Sequence, residues 1–201
     1  MIQAIPNLLT FEEFLEQYPE DAGRYELVDG EIIEMRPVGR HEKIAGLISR
    51  KFDVEIERLN LPYFIARNCL VKPGRANTGY LPDIIVLDEK LIENDPLWEK
   101  SSTISLGSSA RLAVEVVSTN WRDDYLRKLD DYELLGIPEY WIVDYLALGA
   151  MRYIGSPKQP TLSVYQLIDD EYQVQQFRGT DRVISQIFPE LSLTVNQIWS
   201  V

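Results

Sequence analysis

Cysteine is almost missing from this chain: Cys69 is the only one in 201 residues. An internal disulfide and a cysteine-rich zinc site are therefore excluded, and a reducing cytoplasm is the expected compartment. Long apolar runs are missing too. No stretch approaches the ~18–20 consecutive apolar residues of a membrane span, and Met1–Thr10 lacks the basic-then-apolar pattern of a secretory leader. Positive charge is scarce: 20 Lys and Arg stand against 32 Asp and Glu, giving a net charge of −12 and a pI of about 4.6. Phosphate neutralisation supplies most non-specific affinity for nucleic acid, so this balance argues against a general DNA coat. It leaves room for an enzyme that touches nucleic acid briefly through a local site and a metal ion.

What is present is ordinary globular material, 45% hydrophobic and 26% charged in 23.2 kDa. That suits a single domain over residues 1–201 with a core that needs no staple. Thr10-Phe11-Glu12-Glu13 has the form of a capping box and opens a short helix ending near Pro19. Asp29-Gly30 between Arg24–Val28 and Glu31–Met35 predicts a β-hairpin with a type I′ turn. From His41 to Leu59 the apolar spacing fits a long amphipathic helix, with Val54 counted on its apolar side. Tyr63–Ala66, Leu70-Val71, Ile84–Leu87, Leu112–Val117 and Glu139–Asp144 read as strands, and Asp88–Ala110 as a polar connection. Ser118-Thr119-Asn120 offers an N-cap for a helix from Trp121 to Leu135 that stops at Gly136. Met151–Ile154 and the pair Leu162–Leu167 and Tyr172–Phe177 read as antiparallel strands, the last two joined at Asp169-Asp170. A short helix at Val195–Trp199 closes the chain. The interleaving gives an α/β or α+β sandwich.

Glu115 is the most informative residue. It sits inside Leu-Ala-Val-Glu-Val-Val, and burying an ionised carboxylate costs several kcal/mol unless a cation or donors compensate. It is either exposed on its strand or held by a partner, and a divalent ion is one such partner. Asp83 opens a second apolar strand after Pro82, so two central strands each present one acid, although Pro-Asp alone is common at turns. Asp124, Lys128 and Tyr132 follow at i, i+4 and i+8 on one helix face. They form either a plain helix ion pair or a lysine aimed at the acids.

Taken together, these residues resemble the PD-(D/E)XK nuclease superfamily. More closely, Tyr25–Glu31, the helix opening with His41, Pro82-Asp83-Ile84, Val114–Ser118, the Asp124/Lys128/Tyr132 face and Gly136–Asp144 resemble the bacterial Uma-two family, long described only as a domain of unknown function and regarded as endonucleases. The resemblance runs from about Thr10 to Val201. It implies a restriction-endonuclease-like fold with a central mixed β-sheet flanked by helices, a Mg²⁺ or Mn²⁺ site, and phosphodiester hydrolysis of nucleic acid, DNA ahead of RNA. Asp83 and Glu115 match the family's metal ligands, and Lys128 matches a displaced catalytic lysine. The superfamily lysine usually lies two residues after the glutamate, where this chain has Val117. Glu26 could add a third metal carboxylate, and His41 could lie near the site or simply cap its helix. A catalytically idle binding or assembly module on the same fold stands as the alternative, discriminated by whether Arg40, Arg67, Lys72, Arg75, Arg122 and Lys128 gather around the acids. A carboxylate-pair glycosidase ranks below both, since it gives Lys128 no task. Apolar strands near the carboxyl end offer a face for a homodimer.

Overall fold

Residues 8–21 and 23–201 are described by the computed structural model; the expectation about a leader in Met1–Thr10 falls mainly outside that range. Helix α1 (Phe11–Glu16) starts at the expected capping box, where Thr10 Oγ1 accepts from the Glu13 N–H at 3.2 Å and Glu13 Oε2 accepts from the Thr10 N–H at 2.8 Å. Strands β1 (Arg24–Val28) and β2 (Glu31–Met35) form the hairpin. Asp29 and Gly30 carry φ of 51° and 85°, as a type I′ turn requires. Helix α2 (Gly39–Leu59) buries Ile44, Ile48 and Phe52. Val54 is 52% exposed, since two positions beyond Phe52 is the far side of a helix.

Strands β3 (Tyr63–Ala66), β4 (Leu70-Val71) and β5 (Ile84–Asp88) follow. The stretch expected as a polar connection is more structured: a 3₁₀ turn at Ile92–Asn94, helix α3 (Trp98–Ser101) and strand β6 (Thr103-Ile104), which pairs in parallel with β4. Buried Asp95 organises it, accepting from the amides of Ser105 and Leu106 at 2.8 and 2.9 Å and from the Ser109 hydroxyl at 3.1 Å. Strand β7 (Ala110–Val116) comes next.

The expected helix after β7 exists with a π-helical turn, Asp123–Lys128, running into α4 (Leu129–Leu135). No side chain of Ser118, Thr119 or Asn120 caps it; the Asn120 carbonyl instead accepts from the Asp123 N–H at 2.8 Å. Gly136, at φ 86°, ends it by donating to Tyr132 and Glu133 carbonyls. Strand β8 (Glu139–Asp144) is fully buried. Met151–Ile154 is a helical turn, α5, and not a strand. Asp144, accepting from the Leu148 and Gly149 amides at 2.9 and 2.8 Å, folds the chain back too tightly for a strand. Strands β9 (Thr161–Ile168) and β10 (Glu171–Phe177) pair antiparallel, and α6 (Val195–Trp199) closes the chain.

The central sheet runs β10-β9-β8-β7-β5-β3, with β7 and β8 parallel and the other pairs antiparallel. One face packs Val86, Leu112, Val114 and Trp141 against Ile44, Ile48 and Phe52 of α2 and Phe188, Leu191 and Val195 of the carboxyl-terminal segment. The other packs Ile85, Ala113, Val117 and Tyr140 against Tyr125 and Tyr132. Strand alternation therefore sends Glu115, between Ala113 and Val117, toward the π-helical turn. No helix among the described residues is long and apolar enough to cross a membrane.

Candidate active site

Strands β5 and β7 pair with Ile84 opposite Val114. One step further along this antiparallel register Asp83 faces Glu115, and opposed residues project to the same face. The Val116 N–H fixes Asp83 by donating to Oδ2 at 2.8 Å. Glu26 arrives from β1, His41 from the start of α2, and Asp124 and Lys128 from the π-helical turn. All six line one cavity of about 310 Å³, together with Ser118, Asn120 and Arg127. Asp83, Glu115, Lys128, Glu26 and His41, each named from sequence, are thus brought together.

Lys128 is at the centre and only 2% exposed. Its Nζ lies 2.9 Å from Glu26 Oε1, 3.0 Å from Glu115 Oε1 and 3.8 Å from Asp124 Oδ1, and 5.6 Å from the centre of the Tyr80 ring. A buried ammonium is tolerable only with such compensation. Burial alone would lower its pKa, but Glu115, Glu26 and Asp124 outweigh burial and hold it well above its ordinary value. The acids are not fully satisfied in return. Burial pushes Glu115 well above the usual carboxylate range; Lys128 opposes the shift and Asp83, Asp124 and Glu26 add to it. Asp124 is pushed up to about 7, again mainly by burial and against the pull of Lys128. One lysine does not neutralise four neighbouring carboxylates.

Asp83 Oδ2 also faces His41 Nε2 at 3.1 Å, while Oδ1 lies 3.7 Å from Arg24 Nη1. Burial would depress the His41 pKa, but the hydrogen bond and charge of Asp83 leave it raised. The donor set suits a hard cation. Glu115 Oε1 takes Lys128 and the Tyr132 hydroxyl, the latter at 3.2 Å, and no described residue hydrogen-bonds Glu115 Oε2 or Asp83 Oδ1. Mg²⁺ commonly uses one or two carboxylates and completes its shell with water and phosphate. Among the described residues no three Asp, Glu, His or Cys side chains form a preformed metal cage. Glu26 is turned to other partners, its Oε1 accepting from Lys128 and from the Leu81 N–H at 2.9 Å each.

Sequence reasoning missed Tyr80 and Arg24. The Tyr80 hydroxyl donates to Asp131 at 2.7 Å, which Arg75 also engages at 2.7 Å, so the ring beside Lys128 is held from α4. Its place just before Leu81-Pro82-Asp83 was the available signal. The basic residues named from sequence do not gather around the acids, Lys128 apart. Lys72 pairs with Glu12, Arg75 with Asp130 and Asp131, and Arg40 donates to the Trp199 carbonyl.

A six-stranded mixed sheet flanked by helices, with one acid on β7, another at the entry to the adjacent strand β5, and a lysine folded over them, defines a nuclease-like α/β protein of the restriction-endonuclease class. The chain belongs to the Uma2 family, whose model, described as "Putative restriction endonuclease", matches residues 11–196. A crystal structure of a "putative nuclease belonging to DUF820" from Anabaena variabilis ATCC 29413 superposes with a TM-score of 0.66. Identity is 19%, and the match covers 96% of this chain and 98% of that one, a likeness of fold. Among curated proteins, none matches the sequence.

Proposed function

We propose that this protein is a Mg²⁺- or Mn²⁺-dependent endonuclease that hydrolyses phosphodiester bonds, DNA ahead of RNA, as one domain in the cytoplasm. One observation carries this reading: Asp83, immediately before β5, and Glu115, on the adjacent strand β7, line one cavity, each with an oxygen that no described residue hydrogen-bonds, inside a cluster with too much negative charge for Lys128 alone. Asp83 Oδ1 and Glu115 Oε2 would hold the ion, and Glu26 adds a third carboxylate nearby. A bound divalent ion supplies Lewis acidity to the phosphate and to the attacking water. The Val116 amide and His41 keep the Asp83 carboxylate turned toward the cavity. Lys128, held cationic by the acids around it, offsets charge that develops on the phosphate.

Calorimetric titration with Mn²⁺ tests the site without a guess about substrate. Wild type should bind, and Asp83→Asn and Glu115→Gln should lose binding and metal-dependent cleavage while staying folded. Unchanged cleavage by Asp83→Asn would overturn the assignment.

A second reading, an idle nuclease-fold module used for binding or assembly, is favoured by the scatter of Arg40, Lys72 and Arg75 away from the acids. With a net charge of −12, the surface also repels a polyanion at long range. Wild type that binds no Mn²⁺ and cuts nothing would select it. A homodimer, on either reading, would use the edge strand β10, whose exposed face is mainly Gln173, Gln175 and Gln176 with Val174; the apolar residues of β9 expected to form a face are mainly buried.

A further inference from the structure

A second cavity, about 370 Å³, adjoins the acid centre and shares Met35, His41, Asp83, Ser118 and Asn120 with it. This lies within the range of small-ligand sites, roughly 300–1,000 Å³. Its character differs from that of the first. Pro37, Val38, Tyr145, Leu146 and Leu148 supply an apolar wall, and Val38 and Leu146 are 63% and 49% exposed. Arg24 and Arg36 supply the cations.

Several polar groups here have no partner in the fold. His41 is buried and its Nδ1 makes no hydrogen bond, with only the Glu42 carboxylate near it at 3.9 Å. Arg24 Nε is likewise buried and unpaired, although Nη2 donates to the Pro82 carbonyl at 3.2 Å. Ser118, Thr119 and Asn120 also line the cavity; they are exposed, so their side chains are open to solvent or to a ligand. Buried polar groups are normally satisfied, so the orphaned His41 Nδ1 and Arg24 Nε beside this cavity point to a ligand.

Resting on the nuclease reading above, the geometry points to this cavity as the subsite for the base of an unpaired nucleotide next to the cleaved phosphate. A nucleobase has apolar faces and a polar edge, matching an apolar wall beside free hydroxyl and amide groups. A base inside a duplex has its faces stacked and its edge paired, so it enters such a cavity only from a single strand or after extrusion. The substrate class that follows is single-stranded or locally unpaired nucleic acid. An acidic protein also meets less repulsion from a single strand, whose counterion-linked electrostatic contribution is weaker than that of B-form DNA.

The test is binding of a short single-stranded oligodeoxynucleotide carrying 2-aminopurine, measured by fluorescence in EDTA so that neither metal nor cleavage contributes. Binding to wild type should brighten the probe as its base leaves the stack. The charge-neutral Val38→Asn/Leu146→Asn variant, altered only at exposed positions, should bind about tenfold more weakly through the loss of apolar contact with the base. Its Mn²⁺ affinity should match wild type. A duplex carrying the same probe in a fully paired position should neither brighten nor compete. Equal affinity of wild type and variant, or equal competition by the duplex, would overturn the subsite. Loss of Mn²⁺ binding by wild type would overturn the nuclease reading instead, so the two failures are distinguishable.

Discussion

Lys128 Nζ lies 3.0 Å from Glu115 Oε1, joining the π-helical turn to the central strand in the interior of the protein. Two consequences follow. Removing the lysine leaves Glu115, Glu26 and Asp124 buried without their counter-ion. Lys128→Met should therefore cost about 3–5 kcal/mol in urea unfolding, the usual penalty for breaking a buried ion pair. Added Mn²⁺ should return part of that loss, and cleavage should be abolished. A cost below about 1 kcal/mol would show that the acids are already protonated in the fold and that Lys128 is not their partner.

Much of this centre is legible in the sequence, for a reason that Glu115 illustrates. A carboxylate within a β-branched run contradicts burial energetics, and a contradiction of that kind marks a site. Asp83 and Lys128 were legible as company for Glu115. The π-helical turn was not, because an extra residue in a helical turn leaves no periodic signature in a short segment. Met151–Ile154 was misleading for a related reason: its length is that of a strand or of one helical turn, and the deciding contacts come from Asp144, outside the segment. The apolar side pocket beside Asp83 depends on residues from distant parts of the chain, including Met35, Asn120 and Tyr145, and no local pattern joins them.

The acid cluster makes stability depend on pH with a definite sign. Asp124 is pushed up to about 7, and Glu115 is also raised, burial being the main cause for both. Between the ordinary carboxylate range, roughly pH 4, and these raised values, the folded chain keeps protons that the unfolded chain has released. Stability therefore falls as pH rises through that window. His41, raised by Asp83, acts in the same direction, its contribution being lost as pH rises through its folded value. Thermal melting without metal should give a higher Tm at about pH 5 than at about pH 8. Asp124→Asn should flatten the slope, and Mn²⁺ should raise Tm most at the higher pH. A Tm that rises over this range without metal would contradict the shifts.

His41, the single histidine of the chain, touches the site through Asp83, with Nε2 at 3.1 Å from Oδ2. In the proposed metal site it would be a positioning residue, orienting the Asp83 carboxylate. Partners of this kind typically change metal affinity by about 10–100-fold. His41→Ala should weaken Mn²⁺ binding by that factor in calorimetry, while His41→Gln, which keeps a donor in reach of Asp83, should recover part of it. Unaltered Mn²⁺ affinity in His41→Ala would confine the residue to packing at the start of α2.

Glu139 is a buried acid of another kind, and it offers a contrast with the carboxylates proposed to hold the metal. It lies at the start of β8, whereas Glu115 is paired with Ile142 further along the same sheet. Burial raises its pKa, but Trp141, Ser185 and the Gln186 amide donate to it and oppose the shift. The distances are 2.7 Å from Trp141 Nε1, 2.6 Å from Ser185 Oγ and 2.6 Å from the Gln186 N–H. These bonds tie the carboxyl-terminal segment bearing Phe188 to the sheet, so the cluster is satisfied and has no excess charge to offer a metal. Glu139→Leu would strand three donors, each costing about 1–3 kcal/mol, and should destabilise by more than about 3 kcal/mol. Glu139→Gln, which keeps an acceptor, should cost less. Mn²⁺ affinity of the folded Gln variant should equal that of wild type, in contrast to Glu115→Gln; a shared loss would mean that the two acids belong to one electrostatic unit.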